Sequence, residues 1–374
     1  MQLYGNLIFI LSGVLSISTS VIASILRDRY GFDYSLTGTL LAVFNLGTFV
    51  TGFAAGFLAA KMGLRKSSIL LAPTYTIGFL LLSFFGAPAI LMTGFFFIGA
   101  ARGMVTNTCN VMVGESAVDK TKALNQLHAC YAFGALLSPI VIISMTGFGD
   151  AWPTLVLAIL GLPLIWLIAT AGLSDKHQSK EETKGNLEFM KSPRFILLTI
   201  LIFCQNGAET AVVSWVVTYY KDSGILSGDL ATYTISVIWG ATLIGRLIIA
   251  FVLKIKSPAK ALLVMGIGTT LSYLFLMTTN TGPMAILGLF LFAFSLAGTN
   301  PTAVSCAGKE LTPMSLAIML PTASLGQIIM PWIIGITADR VNLYAGMGLN
   351  LIPCTIFVIA AALFVRVKAK EENA

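Results

Sequence analysis

The amino-acid sequence predicts an all-α integral membrane protein with twelve transmembrane helices in two six-helix repeats. Hydrophobic residues make up 56% of the 374-residue chain and charged residues only 10%, and the mean hydropathy is +0.88. A soluble domain of average composition carries roughly 25% charged residues, so most of this chain is expected to lie in lipid. Long apolar runs without period-2 alternation favour helices over a membrane β-barrel.

The second half of the chain repeats the first half at an offset of 193 residues, which becomes 192 towards the end. Gly240 falls on Gly47 at the first offset, and Gly326 falls on Gly134 at the second. Duplicated membrane bundles with a polar cleft between like halves are typical of solute carriers. The repeat therefore predicts a transporter.

Each half contains six apolar runs of spanning length, for which about 20 residues are needed. The predicted spans are 5–26, 36–59, 67–86, 89–113, 122–146, 151–172, 195–219, 229–253, 260–279, 282–307, 313–337 and 342–366. The predicted domains are an N-terminal six-helix bundle over 1–172, a polar cytoplasmic linker over 173–193 and a C-terminal six-helix bundle over 194–374.

The Lys and Arg residues predict the orientation through the positive-inside rule. With both termini in the cytoplasm, the inner loops, the linker and the C-terminal tail hold seventeen bases, whereas the outer loops hold four. Arg102 and Arg246 lie within helices, and Arg246 is near enough to its helix end to extend towards water. We predict a protein of the inner or plasma membrane with cytoplasmic N- and C-termini.

Other functional classes are disfavoured. The net charge of +7 does not indicate nucleic-acid binding, because no basic stripe alternates with aromatic residues. The five cysteines lie in apolar runs without a CxxC pair, which predicts small buried side chains and no metal site. The sequence carries no HExxH motif and no paired catalytic acids, so we do not expect an enzyme. A monomer is expected, with no cofactor beyond a co-transported H⁺ or Na⁺.

The twelve-helix layout and the loop after the second span resemble the major facilitator superfamily. The corresponding loop of that family has the form G-x-x-x-D-R-x-G-R-K, and this chain keeps its glycines and basic residues within Gly56–Lys66. The acidic position of the motif is Ala60 here, which puts the salt bridge of that motif in doubt. The resemblance implies the major facilitator fold.

Predicted helix 4 carries a polar face on an otherwise apolar helix. Arg102, Thr106, Asn107 and Asn110 share this face at helical spacing. An ionised group at mid-membrane costs at least ~2.5–3.5 kcal/mol, so we expect the face to look into the bundle and to bind solute. Alternatively, the two asparagines only bond neighbouring helices.

Predicted helix 7 carries Gln205, Asn206 and Glu209 on one face, and Glu209 is the one acid deep in a predicted span. A carboxyl at that depth suits proton coupling, and it equally suits a sodium ligand or an acceptor for substrate hydroxyls. The alternative is a structural ion pair with Arg102. The amide of Asn300 is a further candidate for binding solute hydroxyl groups.

Two more positions are candidates for the solute pathway. His128 lies near Tyr131 on one face of predicted helix 5, where it is a candidate for both substrate binding and ion coupling. Trp239 in predicted helix 8 is able to stack on the apolar face of a sugar ring, or is an ordinary interior aromatic residue.

Several segments together resemble the fucose–proton symporter family, notably its sodium-dependent glucose transporter branch. The matching segments are Leu124–Pro139 in helix 5, Gly207-Ala208-Glu209 followed by Trp215 and Tyr219 in helix 7, and Ile238–Arg246 in helix 8. The resemblance implies that Asn110, His128, Glu209 and Trp239 line the sugar and ion pathway. The helix 4 acid of the family is Thr106 here, so ion coupling is left to Glu209 with His128.

The predicted function is secondary active transport of a hexose or a related small polar solute, such as a sugar acid, by alternating access. The predicted substrate-binding residues are Arg102, Asn107, Asn110, His128, Tyr131, Gln205, Asn206, Trp239 and Asn300, and Glu209 and His128 are predicted to couple the ion. One alternative is proton-coupled efflux of drugs or amphipathic metabolites, which the many Phe and Met residues fit. Another is a membrane receptor that binds solute without carrying it across.

Overall fold

The computed structural model describes residues 1–118, 120–173, 190–253, 255–306 and 313–373, and no β-strand occurs within these ranges. Its helices are α1 (Gln2–Tyr30), α2 (Tyr34–Met62), α3 (Leu64–Leu71), α4 (Thr74–Phe84), α5 (Pro88–Ser116), α6 (Lys120–Thr146), α7 (Trp152–Thr170), α8 (Pro193–Asp222), α9 (Gly228–Phe251), α10 (Pro258–Thr278), α11 (Gly282–Leu296), α12 (Thr299–Ser305), α13 (Pro313–Arg340), α14 (Leu343–Gly348) and α15 (Leu351–Asn373). Most of the predicted linker 173–193 lies outside the described residues.

Eleven candidate membrane spans occur in the described part of the chain. Three of them join two helices: α3 with α4, α11 with α12, and α14 with α15. The eleven coincide with eleven of the predicted spans. The remaining prediction, 313–337, falls on helix α13, which is not among the eleven.

The helices form two compact units, Met1–Lys180 and Glu181–Ala374, which we call the N-terminal and C-terminal units. In the N-terminal unit, α1 packs against α5, α6 and α7, and α2 packs against α5. In the C-terminal unit, α8 packs against α13 and α15, and α9 packs against α11. In each unit the first helix therefore packs against the helix of the predicted fifth span, and the second helix against that of the predicted fourth span.

Glycine permits the same close helix crossing in both units. A Cβ atom added at Gly134 on α6 would lie 1.9 Å from the carbonyl oxygen of Ile10 on α1. A Cβ atom added at Gly326 on α13 would lie 2.4 Å from the carbonyl oxygen of Phe203 on α8. Because the two crossings involve positions that the sequence repeat pairs, the offsets read from the sequence correspond to equivalent packing.

Hydroxyl groups join the helices of the N-terminal unit. The Tyr75 hydroxyl on α4 lies 2.9 Å from Ser12 Oγ and 2.8 Å from Ser16 Oγ, both on α1. Ser18 of α1 bonds Ser138 of α6 at 2.9 Å. These groups are buried, and a buried hydroxyl without a partner costs free energy, so the bonds fix how α1 docks.

We expect Tyr75→Phe to destabilise the protein by about 1–3 kcal/mol, because it removes the partner of two buried serines at once. The matched control is Tyr344→Phe, since the Tyr344 side chain is 57% exposed. Thermal unfolding of the purified protein, followed by tryptophan fluorescence, measures both variants. Equal melting temperatures for the two would contradict the proposed role of the Tyr75 hydroxyl.

Candidate solute and ion site

The C-terminal unit contains a partly open pocket, and the space between its lining atoms, open solvent included, is about 320 Å³. Helices α8, α9, α11 and α12 form it, and its polar lining comes from Gln205, Glu209, Thr242, Arg246 and Asn300. Apolar side chains of α9 and α11 complete the wall. A few polar groups converging in an apolar recess are typical of a small-molecule site.

A directed chain of hydrogen bonds crosses this pocket. Gln205 Nε2 donates to Glu209 Oε2 at 2.6 Å, and Asn300 Nδ2 donates to Gln205 Oε1 at 3.1 Å. Gln205 is buried, whereas Glu209 and Asn300 are partly exposed. The sequence predicted all three as site residues, and the structure brings them together on one wall.

Arg246 is the site residue that the sequence reasoning missed. It is partly exposed, its Nε donates to the carbonyl oxygen of Ala297 at 3.3 Å, and its side chain lines the pocket. Ala297 follows the last residue of α11, where the helix is interrupted before α12, and helix ends leave carbonyl groups free to accept. Opposite charge also attracts Arg246 to Glu209. The available signal was a lone base within an apolar helix.

The two units differ at equivalent positions of their first helices. Gln205 and Glu209 correspond to Ser12 and Ser16 at the repeat offset of 193. In the N-terminal unit, Ser12 and Ser16 both bond the Tyr75 hydroxyl. In the C-terminal unit, a second cavity lies beside Gln205; its space, open solvent included, is about 180 Å³, and Thr269 is among its lining residues. The carboxylate and its amide chain are thus features of one unit.

Two other predicted residues of the C-terminal unit are buried. Asn206 is 7% exposed, and its Nδ2 donates to the carbonyl oxygen of Ala323 on α13 at 3.3 Å, so it joins α8 to α13. Trp239 is 7% exposed and lies on α9, where helical spacing places it on the same face as Thr242 and Arg246. Neither residue is among those that line the larger pocket.

In the N-terminal unit, the structure brings Arg102, Tyr131 and His128 into one cluster. The Arg102 guanidinium carbon lies 5.4 Å from the centre of the Phe44 ring and 5.9 Å from that of Tyr131. Phe9 makes edge contacts with both Tyr131 and His128, at centroid distances of 5.8 and 5.6 Å. Cation–π contact with two rings helps to hold an arginine in an apolar bundle.

The two predicted amides of α5 are partly exposed. The Oδ1 atom of Asn110 is buried and has no hydrogen-bond partner among the described residues. A buried amide oxygen without a partner is costly, which makes Asn110 a candidate for bonding a solute hydroxyl. Asn107 lies one turn before it on the same helix. His128 is exposed on α6.

Residues 6–320 match the sequence model of the Major Facilitator Superfamily. The human sodium-dependent glucose transporter 1 is 24% identical over 331 residues, which cover 76% of this chain and 64% of that protein. The glucose/mannose transporter GlcP of Bacillus subtilis is 22% identical over 391 residues, which cover 99% of this chain and 96% of that protein.

The fold is similar to that of solved transporters. The crystal structure of a D-xylose-proton symporter matches with a TM-score of 0.77 at 16% identity, and the match covers 96% of each chain. At this level of identity the likeness concerns the fold alone.

Proposed function

Because the chain belongs to the Major Facilitator Superfamily, we propose that it is a secondary active transporter of a hexose or a related small polar solute. Twelve spans in two six-helix repeats, 1–172 and 194–374, with 173–193 as a cytoplasmic linker, would expose the site alternately to each side of the membrane. The protein acts as a monomeric carrier in the cell membrane, not as an enzyme, with both termini in the cytoplasm.

The observation that carries this proposal is the polar pocket of the C-terminal unit. Its amides, Gln205 and Asn300, offer both donors and acceptors, which suits the hydroxyl groups of a sugar. The carboxyl of Glu209 lies in the same wall, bonded to one of these amides. An ion site and a solute site thus share side chains, as coupled transport requires. The glucose transporters named among the relatives support a hexose as the solute.

The charges around Glu209 favour a proton over sodium as the coupled ion. Gln205 presents its NH₂ group to the carboxylate, and the guanidinium of Arg246 lines the same pocket. Neither the NH₂ group nor the guanidinium offers an oxygen ligand to a metal cation, whereas a proton binds to the carboxylate itself and needs no ligand shell. In the N-terminal unit, Asn107 and Asn110 would bind solute, and so would Arg102, Tyr131 and His128. In the C-terminal unit, Trp239 and Asn206 would take part, and His128 is the second ion-coupling candidate.

Counterflow tests this proposal. Proteoliposomes loaded with unlabelled D-glucose should take up labelled D-glucose faster than empty ones. The Asn300→Leu variant should slow that exchange at least about tenfold, which corresponds to about 1.4 kcal/mol of lost interaction. Gln327→Met, on α13 and outside both cavities, serves as the matched control. Saturable binding of tetraphenylphosphonium without glucose exchange would instead support efflux, and glucose binding without exchange would indicate a receptor.

A further inference from the structure

The two hydrogen bonds that the pocket amides donate run in one direction. Asn300 donates to Gln205, and Gln205 donates to Glu209. An amide group has a donor end and an acceptor end, so each amide in such a chain fixes the orientation of the next. In this state Asn300 uses its NH₂ group towards Gln205, and its Oδ1 takes no part in the chain.

We propose that Gln205 transmits the protonation state of Glu209 to Asn300 by reversing the direction of this chain, and so sets the hydrogen-bonding character of the solute site. The inference rests on the proposed function, in which Glu209 takes up the coupled proton. Gln205 is then a positioning residue, because it acts on the solute through Asn300.

The reversal follows from counting donors and acceptors. A proton taken up on Glu209 Oε2, the oxygen that faces Gln205, makes that oxygen part of an O–H donor, and the acceptor that this donor favours is the Oε1 end of the Gln205 amide. Rotation of the Gln205 amide presents Oε1 to the acid and Nε2 to Asn300. Asn300 then accepts through Oδ1 and turns its own NH₂ group towards the pocket. The solute meets an acceptor before protonation and a donor after it.

The surroundings of Glu209 make the reversal sensitive to charge. Helix α9 presents Arg246, whose guanidinium is attracted to the carboxylate of Glu209. The residues of α11 that line the pocket are apolar, and α12 contributes Asn300. Beside Gln205, Thr269 of α10, Cys354 of α15 and Cys204 of α8 itself line the smaller cavity. Among these described lining residues, Arg246 is the charged group other than Glu209 itself.

The test compares the pH dependence of D-glucose binding by the full-length protein in wild type and in Gln205→Met, which keeps the side-chain length but removes both ends of the amide. Wild-type affinity should rise as the pH falls, by up to about tenfold per unit above the pH at which Glu209 is half protonated. Gln205→Met should bind glucose with an affinity that changes less than about twofold over the same range. Asn300→Leu should flatten the profile in the same way, which covers the case that the first variant folds poorly.

Infrared difference spectra distinguish a relay through Gln205 from a merely structural role of that residue. The carboxyl band of Glu209, assigned by its loss in Glu209→Gln, should still titrate in Gln205→Met although glucose affinity no longer follows it. Gln327→Met, the matched control, should keep the wild-type profile. A wild-type profile in both Gln205→Met and Asn300→Leu would overturn the relay while leaving proton coupling intact. A wild-type profile in Glu209→Gln itself would overturn the coupling role of Glu209 and the relay together.

Discussion

Replacing Glu209 by Gln is expected to abolish solute accumulation driven by a pH gradient while leaving counterflow exchange intact. The glutamine oxygen still accepts the hydrogen bond from Gln205 Nε2, so the pocket keeps its shape. The amide cannot take up a proton, so the gradient no longer does work on the solute. In proteoliposomes with a gradient of one pH unit, one-to-one coupling supports up to about tenfold accumulation, since each 1.4 kcal/mol is worth a factor of ten. The variant should equilibrate without accumulating.

Labelled D-glucose uptake with and without the gradient measures this effect. Glu115→Gln is the matched control, because Glu115 is exposed at the end of α5, and it should accumulate like wild type. Repeating the assay with a sodium gradient separates the two candidate ions. Full pH-driven accumulation by Glu209→Gln would remove Glu209 from the coupling mechanism, and accumulation driven by sodium alone would overturn the choice of a proton.

Gly134→Ala is expected to cost about 3 kcal/mol or more of stability, one of the largest effects of any single methyl group in this chain. The added Cβ would lie 1.9 Å from the Ile10 carbonyl oxygen and close to two further backbone atoms of the same residue. Backbone atoms cannot rotate away as a side chain does, so α1 and α6 must separate. Overpacking of this kind typically lowers the free energy of unfolding by about 1–3 kcal/mol, occasionally by more. Melting temperature and the yield of monodisperse protein measure the effect.

Gly114→Ala provides the control, because nothing lies within 4 Å of a Cβ atom at that position. Alanine has the higher helix propensity by about 1 kcal/mol, so this variant should be neutral or slightly stabilising. Gly326→Ala should behave like Gly134→Ala, since its Cβ would lie 2.4 Å from the Phe203 carbonyl oxygen. Equal stability of Gly134→Ala and Gly114→Ala would show that α1 and α6 are not in close contact.

Much of the fold was predictable because lipid imposes simple rules. Backbone groups in hydrocarbon must bond within their own helix, so an apolar run such as 195–219 has one stable structure, and α8 confirms it. The predicted family resemblance is also confirmed by the match over residues 6–320 and by the glucose transporters among the relatives. The repeat offsets were readable because Gly134 and Gly326 serve the same close crossing.

The site was predictable only in part. A carboxyl or an amide in an apolar helix is conspicuous, and so Glu209, Gln205 and Asn300 were identified as candidates by their cost in lipid. What each one bonds is invisible in a linear pattern. Asn206 and Gln205 are neighbours with similar side chains, yet the first joins α8 to α13 and the second bonds Glu209.

The sequence alone determined that this chain is a helical membrane protein, because composition and periodicity act locally and the bilayer permits few alternatives. Only the tertiary structure decided which polar groups meet. Arg246 lines the pocket with its Nε bonded to Ala297, where α11 ends, and helices α8 and α12 bring Glu209, Gln205 and Asn300 within hydrogen-bonding distance. Such contacts depend on how helices that are distant in sequence pack together, and a linear pattern of residue types does not reveal that packing.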